Sequence, residues 1–99
     1  MKYSATPVTH HFKNHNIPRT SYEKATDTYG HRVWTIFNPG YTVGRPRGSS
    51  VLTVVIRDND TNYADTALEV LGEQGIEFTS REVNNYDTEI IIDLAQFNK

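Results

Sequence analysis

A chain of 99 residues with 36% hydrophobic side chains is long enough for one domain, 1–99, with a modest core and a polar surface. It has no cysteine, which excludes a disulfide framework and thiolate zinc sites. No apolar run nears the ~20 residues of a membrane span, and Met1-Lys2-Tyr3-Ser4 opens no hydrophobic signal region, so a soluble cytoplasmic protein is expected. The formal net charge of −2 conceals a split. Residues 1–50 hold seven Lys or Arg against two acids, and all four histidines; residues 51–99 hold three against ten. Such asymmetry points to a charged partner for one half, unless the halves interleave in space and the field averages out.

Residues 1–20 read as a largely irregular arm. Pro7 would suit the first turn of a short helix with Val8 and Phe12 on one face, and Asn16-Ile17-Pro18 would break it. Thr20 and Glu23 have the spacing of a capping box, and Tyr22, Ala25 and Tyr29 follow at helical intervals. With Gly30 as its C-terminal cap, this predicts a short N-terminal helix over 21–29.

His31 to Asn38 alternates as a strand, with Val33, Thr35 and Phe37 on one face and Arg32, Trp34 and Ile36 on the other. Pro39-Gly40 ends it. Residues 39–50 are punctuated by Pro39, Gly40, Gly44, Pro46 and Gly48 and read as a long functional loop, in which Tyr41-Thr42-Val43 would at most extend the pairing. Val51 to Ile56 is the most apolar run and reads as a central strand buried on both faces. Asp60 or Thr61 would cap a helix over 62–74 with the stripe Ala64, Ala67, Leu68 and Leu71, closed by Gly75. Ile76 to Val83 and Tyr86 to Leu94 form a hairpin turning at Asn84-Asn85. The expected fold is α+β: a mostly antiparallel four-stranded sheet, ordered by strand starts 31, 51, 86, 76, with the helix 62–74 on one face.

Four patterns carry candidate chemistry. Arg45-Pro46-Arg47, set among glycines, suits bidentate phosphate contact, and an extended backbone would aim both arginines the same way. Arg19 and Arg32 would add charge, and Trp34 and Tyr41 would stack on bases. Second, His15-Asn16-Ile17-Pro18-Arg19-Thr20-Ser21-Tyr22 resembles the turn and recognition-helix start of a helix-turn-helix. The resemblance implies DNA contact by Arg19, Thr20 and Ser21, and with the two following strands it implies a winged helix. Third, His11 and His15 stand at the i, i+4 spacing of metal ligands, but no carboxylate lies near in sequence, so no metal is expected. Fourth, Asp58-Asn59-Asp60 would hold Mg²⁺ in a nuclease, though capping and turn formation account for it better.

No nucleophile–base pair, phosphate loop or dinucleotide fingerprint is present, which argues for a binding protein without cofactor rather than an enzyme. The leading expectation is a nucleic-acid-binding protein using Arg19, Arg32, Trp34, Tyr41, Arg45 and Arg47. The alternative is a protein-binding module or inhibitor whose acidic surface is Glu69, Glu73, Glu77, Asp87, Glu89 and Asp93. An exposed edge strand would also admit a partner or a second copy.

Overall fold

The computed structural model describes residues 3–57, 62–84 and 87–97. Helix α1 spans Thr6–Asn14, and strands β1 (Ser21–Thr26), β2 (Arg32–Asn38), β3 (Gly40–Gly44) and β4 (Val51–Arg57) follow. Helix α2 (Tyr63–Glu73), strands β5 (Thr79–Glu82) and β6 (Asp87–Asp93) and a 3-10 turn at Leu94–Phe97 complete the chain. The architecture is α+β, with two helices and a mostly antiparallel four-stranded sheet ordered β3-β4-β6-β5.

Both helices end in the same way. Asn16 and Gly75 adopt left-handed conformations, at φ 61° and 69°. Beyond them Ile17 N–H donates to the Phe12 carbonyl at 2.8 Å, and Ile76 N–H to the Leu71 carbonyl at 3.0 Å. Each is a Schellman stop, with a buried isoleucine as its apolar contact. Residues 6–14 therefore form the short helix that Pro7, Val8 and Phe12 suggested, and it is packed rather than part of an irregular arm. Val8 and Phe12 are fully buried on the inner face of α1.

The core joins Val8 and Phe12 of α1 to Ile17, Tyr41, the sheet residues Leu52, Val54, Ile56, Ile90 and Ile92, and Ala64, Ala67 and Leu71 of α2. Register explains the sheet's share. Leu52 lies opposite Ile92 and Val54 opposite Ile90, so one face of the sheet is apolar across both central strands. The other face carries Thr53 opposite Ile91 and Val55 opposite Glu89, all half-buried. The central run is thus buried on one face, not two.

Two further expectations are corrected. Residues 21–26 are a strand, not a helix, and they pair with β2 in a separate two-stranded ribbon. The strand from 32 therefore does not join the main sheet. Its expected place beside β4 is taken by β3, from the stretch read as loop. The ribbon turns through Asp27–Gly30. The Asp27 carboxylate accepts the N–H groups of Tyr29 and His31 at 2.9 and 2.8 Å, and Gly30 takes φ 84°. Gly30 thus serves a hairpin turn rather than a helix cap. The strand β2 has Val, Trp, Ile and Phe among its seven residues, and such a strand gains more from a paired neighbour than its neighbour gains from a short helix.

Gly40 is where ribbon meets sheet. A Cβ there would stand 2.1 Å from the Pro18 carbonyl oxygen, which instead accepts the Tyr41 N–H at 2.9 Å. Only glycine allows that approach. Residues 18–20 thereby run parallel to the outer edge of β3, with Thr20 N–H donating to the Tyr41 carbonyl at 2.9 Å. The ribbon projects, and the molecule is elongated, 52 × 29 × 22 Å.

Candidate nucleic-acid interface

The structure divides the six expected nucleic-acid residues among four places. Tyr41 is 2% exposed, its ring packed on Phe12 at 5.1 Å between centroids. A ring so enclosed is core, not a platform for a base. Arg32 and Trp34 belong to the ribbon, which leaves the sheet at the Gly40 end of β3. Arg45 and Arg47 lie beyond the opposite end, past Gly44. β3 alone separates those two groups by roughly 15 Å at the strand rise per residue. Arg19 lies between them, on the outer edge of β3, with its guanidinium 6.0 Å from the Tyr41 ring centroid.

The Arg-Pro-Arg segment is not extended. Ser49 N–H donates to the Pro46 carbonyl at 2.9 Å, and Gly48 at φ 78° supplies the left-handed residue of a type II turn. Arg45 spans this turn, donating from Nη1 to the Ser49 carbonyl at 2.9 Å. One arginine therefore stiffens the loop, and Arg47 stands at its corner. Both are exposed.

The helix-turn-helix likeness fails at its second element. Arg19, Thr20 and Ser21 lead into a strand, so no recognition helix exists there. The Thr20 hydroxyl, read as a cap, is buried with no hydrogen-bond partner. On α1, His10 and His15 donate from Nδ1 to the carbonyls of Thr6 and His11, each at 2.9 Å. Burial, then the neighbouring His10 and His15, lower the pKa of His11. Among the described residues no three His, Cys, Asp or Glu side chains gather as metal ligands. Asp58, Asn59 and Asp60, and the capping Thr61, lie outside the described residues, as does Asn85 of the expected turn.

The acidic set also divides. Asp87 is 7% exposed and is not surface charge. Arg57 clamps its carboxylate with Nε at 2.6 Å and Nη2 at 2.7 Å, and Asn84 Nδ2 adds a third donor at 3.0 Å. These donors, Arg57 first, hold the Asp87 carboxyl below its usual value despite burial. Glu89 accepts from Arg81 at 3.0 Å. Glu69 and Glu73 lie on α2, off the stripe that joins the core. Glu89 and Asp93 alternate with buried Ile90 and Ile92 and so occupy the far face of the sheet. The six acids cannot form one surface.

What the fold does keep is the polarity of the sequence. The basic half supplies the β3 edge, and residues 18–20 and 39–50 beside it include no acid. The opposite edge, β5 with its neighbour β6, carries Glu77, Glu82, Glu89 and Asp93 against Arg81. Away from the sheet edges the halves meet, because α1 of the basic half packs against the acidic α2. Among the described residues no helix is long and apolar enough to cross a membrane. No known family model, curated protein or solved structure matches the chain.

Proposed function

We propose that the protein binds nucleic acid through the basic edge formed by Arg19, Arg45 and Arg47. The supporting observation is local: three exposed arginines flank an edge strand and a loop with no acid among them. Such an edge grips phosphates, not base edges, because it presents guanidinium forks and no recognition helix. The Arg45 bond across its own turn limits the loop's freedom before any ligand arrives, which reduces the ordering cost of binding. The role is binding, in an accessory or regulatory protein, and no catalytic group is assigned.

The test is fluorescence anisotropy on a labelled duplex over a salt series. Each phosphate contact contributes about 0.9 to the slope of log K against log salt on duplex DNA. Arg19→Ala with Arg47→Ala should therefore flatten the slope by roughly two units and leave stability within about 0.5 kcal/mol. A wild type with no salt-dependent binding to DNA or RNA would end the proposal.

A further inference from the structure

We propose that the outer edge of β5 docks an extended basic segment of a partner protein, which joins the main sheet as a fifth strand. The two edges of that sheet differ. β3 is covered by residues 18–20, whose main chain bonds to that of Tyr41. β5 has no neighbour beyond β6 among the described residues, and all four of its residues are exposed. A bare edge is a template for another extended chain.

The ladder shows which groups are offered. Val83 N–H donates to the Asp87 carbonyl at 2.9 Å. At the other end the Gln96 side-chain amide stands in for a strand. Its Oε1 accepts the Glu77 N–H at 2.8 Å, and its Nε2 donates to the Glu77 carbonyl at 2.9 Å. Residues 77 and 83 thus turn their main chain inward, and 79 and 81 between them do the same. By the alternation of an antiparallel ladder, Phe78, Ser80 and Glu82 turn N–H and C=O outward. No described residue bonds to these groups.

Charge selects the chemistry of the incoming segment. Thr79 lies opposite Ile91 and Arg81 opposite Glu89, so these side chains share the open face of the sheet. On that face an open groove of about 610 Å³ begins at the edge, with Ile91 and Ala95 as its apolar lining and Glu77 and Asp93 as its carboxylates. A lysine or arginine on the added strand lays its aliphatic stem on the first pair and its cation beside the second. The edge has no base to spare, because Arg81 is engaged by Glu89 at 3.0 Å. Glu77, Glu82 and Asp93 are exposed, and none pairs with a Lys or Arg among the described residues. The same carboxylates repel nucleic-acid phosphates. A second copy of this edge would set three more carboxylates beside these three, so self-pairing is the poorer match.

The probe is a capped hexapeptide alternating lysine with threonine, titrated into the isotope-labelled full chain. It should give saturable amide shifts along β5 and slow hydrogen exchange at Phe78, Ser80 and Glu82 severalfold. An analogue N-methylated at every residue keeps the charge but loses its donors, and should bind at least tenfold more weakly. Glu77→Gln with Asp93→Asn keeps side-chain shape and an acceptor for the Ala95 N–H, and should weaken the peptide by roughly threefold to tenfold. No saturable shift would overturn the proposal. Equal binding of the methylated analogue would reduce it to charge attraction without strand addition and overturn it too. Equal binding of a glutamate–threonine peptide would do the same for the basic character of the segment. A dimer in sedimentation equilibrium with these three amides already protected would give the edge to a second copy, again against the proposal.

Discussion

The Arg57–Asp87 pair gives the sharpest test of how the sheet is held. Replacing Asp87 with alanine removes a carboxylate that accepts from Arg57 at 2.6 and 2.7 Å and from Asn84 at 3.0 Å. The backbone N–H of residue 87, which donates to Asn84 Oδ1 at 2.9 Å, is kept, but the Asn84 amide loses the carboxylate that held it. Hydrogen bonds to a charged group contribute about 1.5–3 kcal/mol each, but the Arg57 side chain is 33% exposed and water competes for it. A loss of roughly 3 kcal/mol is expected for Asp87→Ala. That is a large fraction of the ~5–15 kcal/mol total for a domain of this size, and corresponds to a melting point lower by roughly 12–24 °C. Acid should act in the same direction. The folded pKa of Asp87 lies below its ordinary value of 3.8, so the unfolded chain takes up the proton first. The stabilisation is complete above about pH 5 and is lost as the pH falls through the folded value. Asp87→Asn should therefore be less stable at neutral pH and show a flatter acid limb than wild type. Urea unfolding at pH 7 and pH 3 measures both. A loss under about 0.5 kcal/mol at pH 7, or an unchanged acid limb, would refute the assignment of the pair as a main anchor of β4 to β6.

Other perturbations separate the structure from the plain sequence reading. Val54 is fully buried and Val55 is half-exposed, so Val54→Asp should abolish native amide dispersion while Val55→Asp keeps it. Phe12→Ala should cost about 3–5 kcal/mol in urea unfolding, a value that an irregular arm would not show. Gly40→Ala must break the contact with the Pro18 carbonyl and should lower the denaturation midpoint by the equivalent of about 2 kcal/mol or more. Because His11 is held below its ordinary 6.5, its contribution should fade as the pH drops through that value, and His11→Gln should remove this part of the pH profile.

The parts of the fold that were legible are those where one periodicity dominates. The stripe of Ala64, Ala67 and Leu71 closed by Gly75 specified α2 to within a residue at each end. The run from Val51 specified β4, because β-branched residues between turn signals admit little else. Residues 20–30 failed because their local signals are degenerate. Thr20 and Glu23 fit a cap, Gly30 fits a stop, and the same residues fit a strand and its turn. The choice was made by β2, whose need for a neighbour is a tertiary fact. β3 was hidden for a related reason. Gly40 and Gly44 look like punctuation, yet Gly40 is required by the chain passing beside it at Pro18, 22 positions earlier.

The site was legible as charge and illegible as contact. Basic and acidic halves read directly from composition, and the two edge strands of the main sheet, β3 and β5, come one from each half. Burial of Tyr41 could not be read from a lone aromatic between glycines. Asp87 was within reach: once Val54 is set against Ile90 in an antiparallel pair, Arg57 must fall opposite Asp87. Register, written out from two predicted strands, would have moved that acid from the surface to an ion pair.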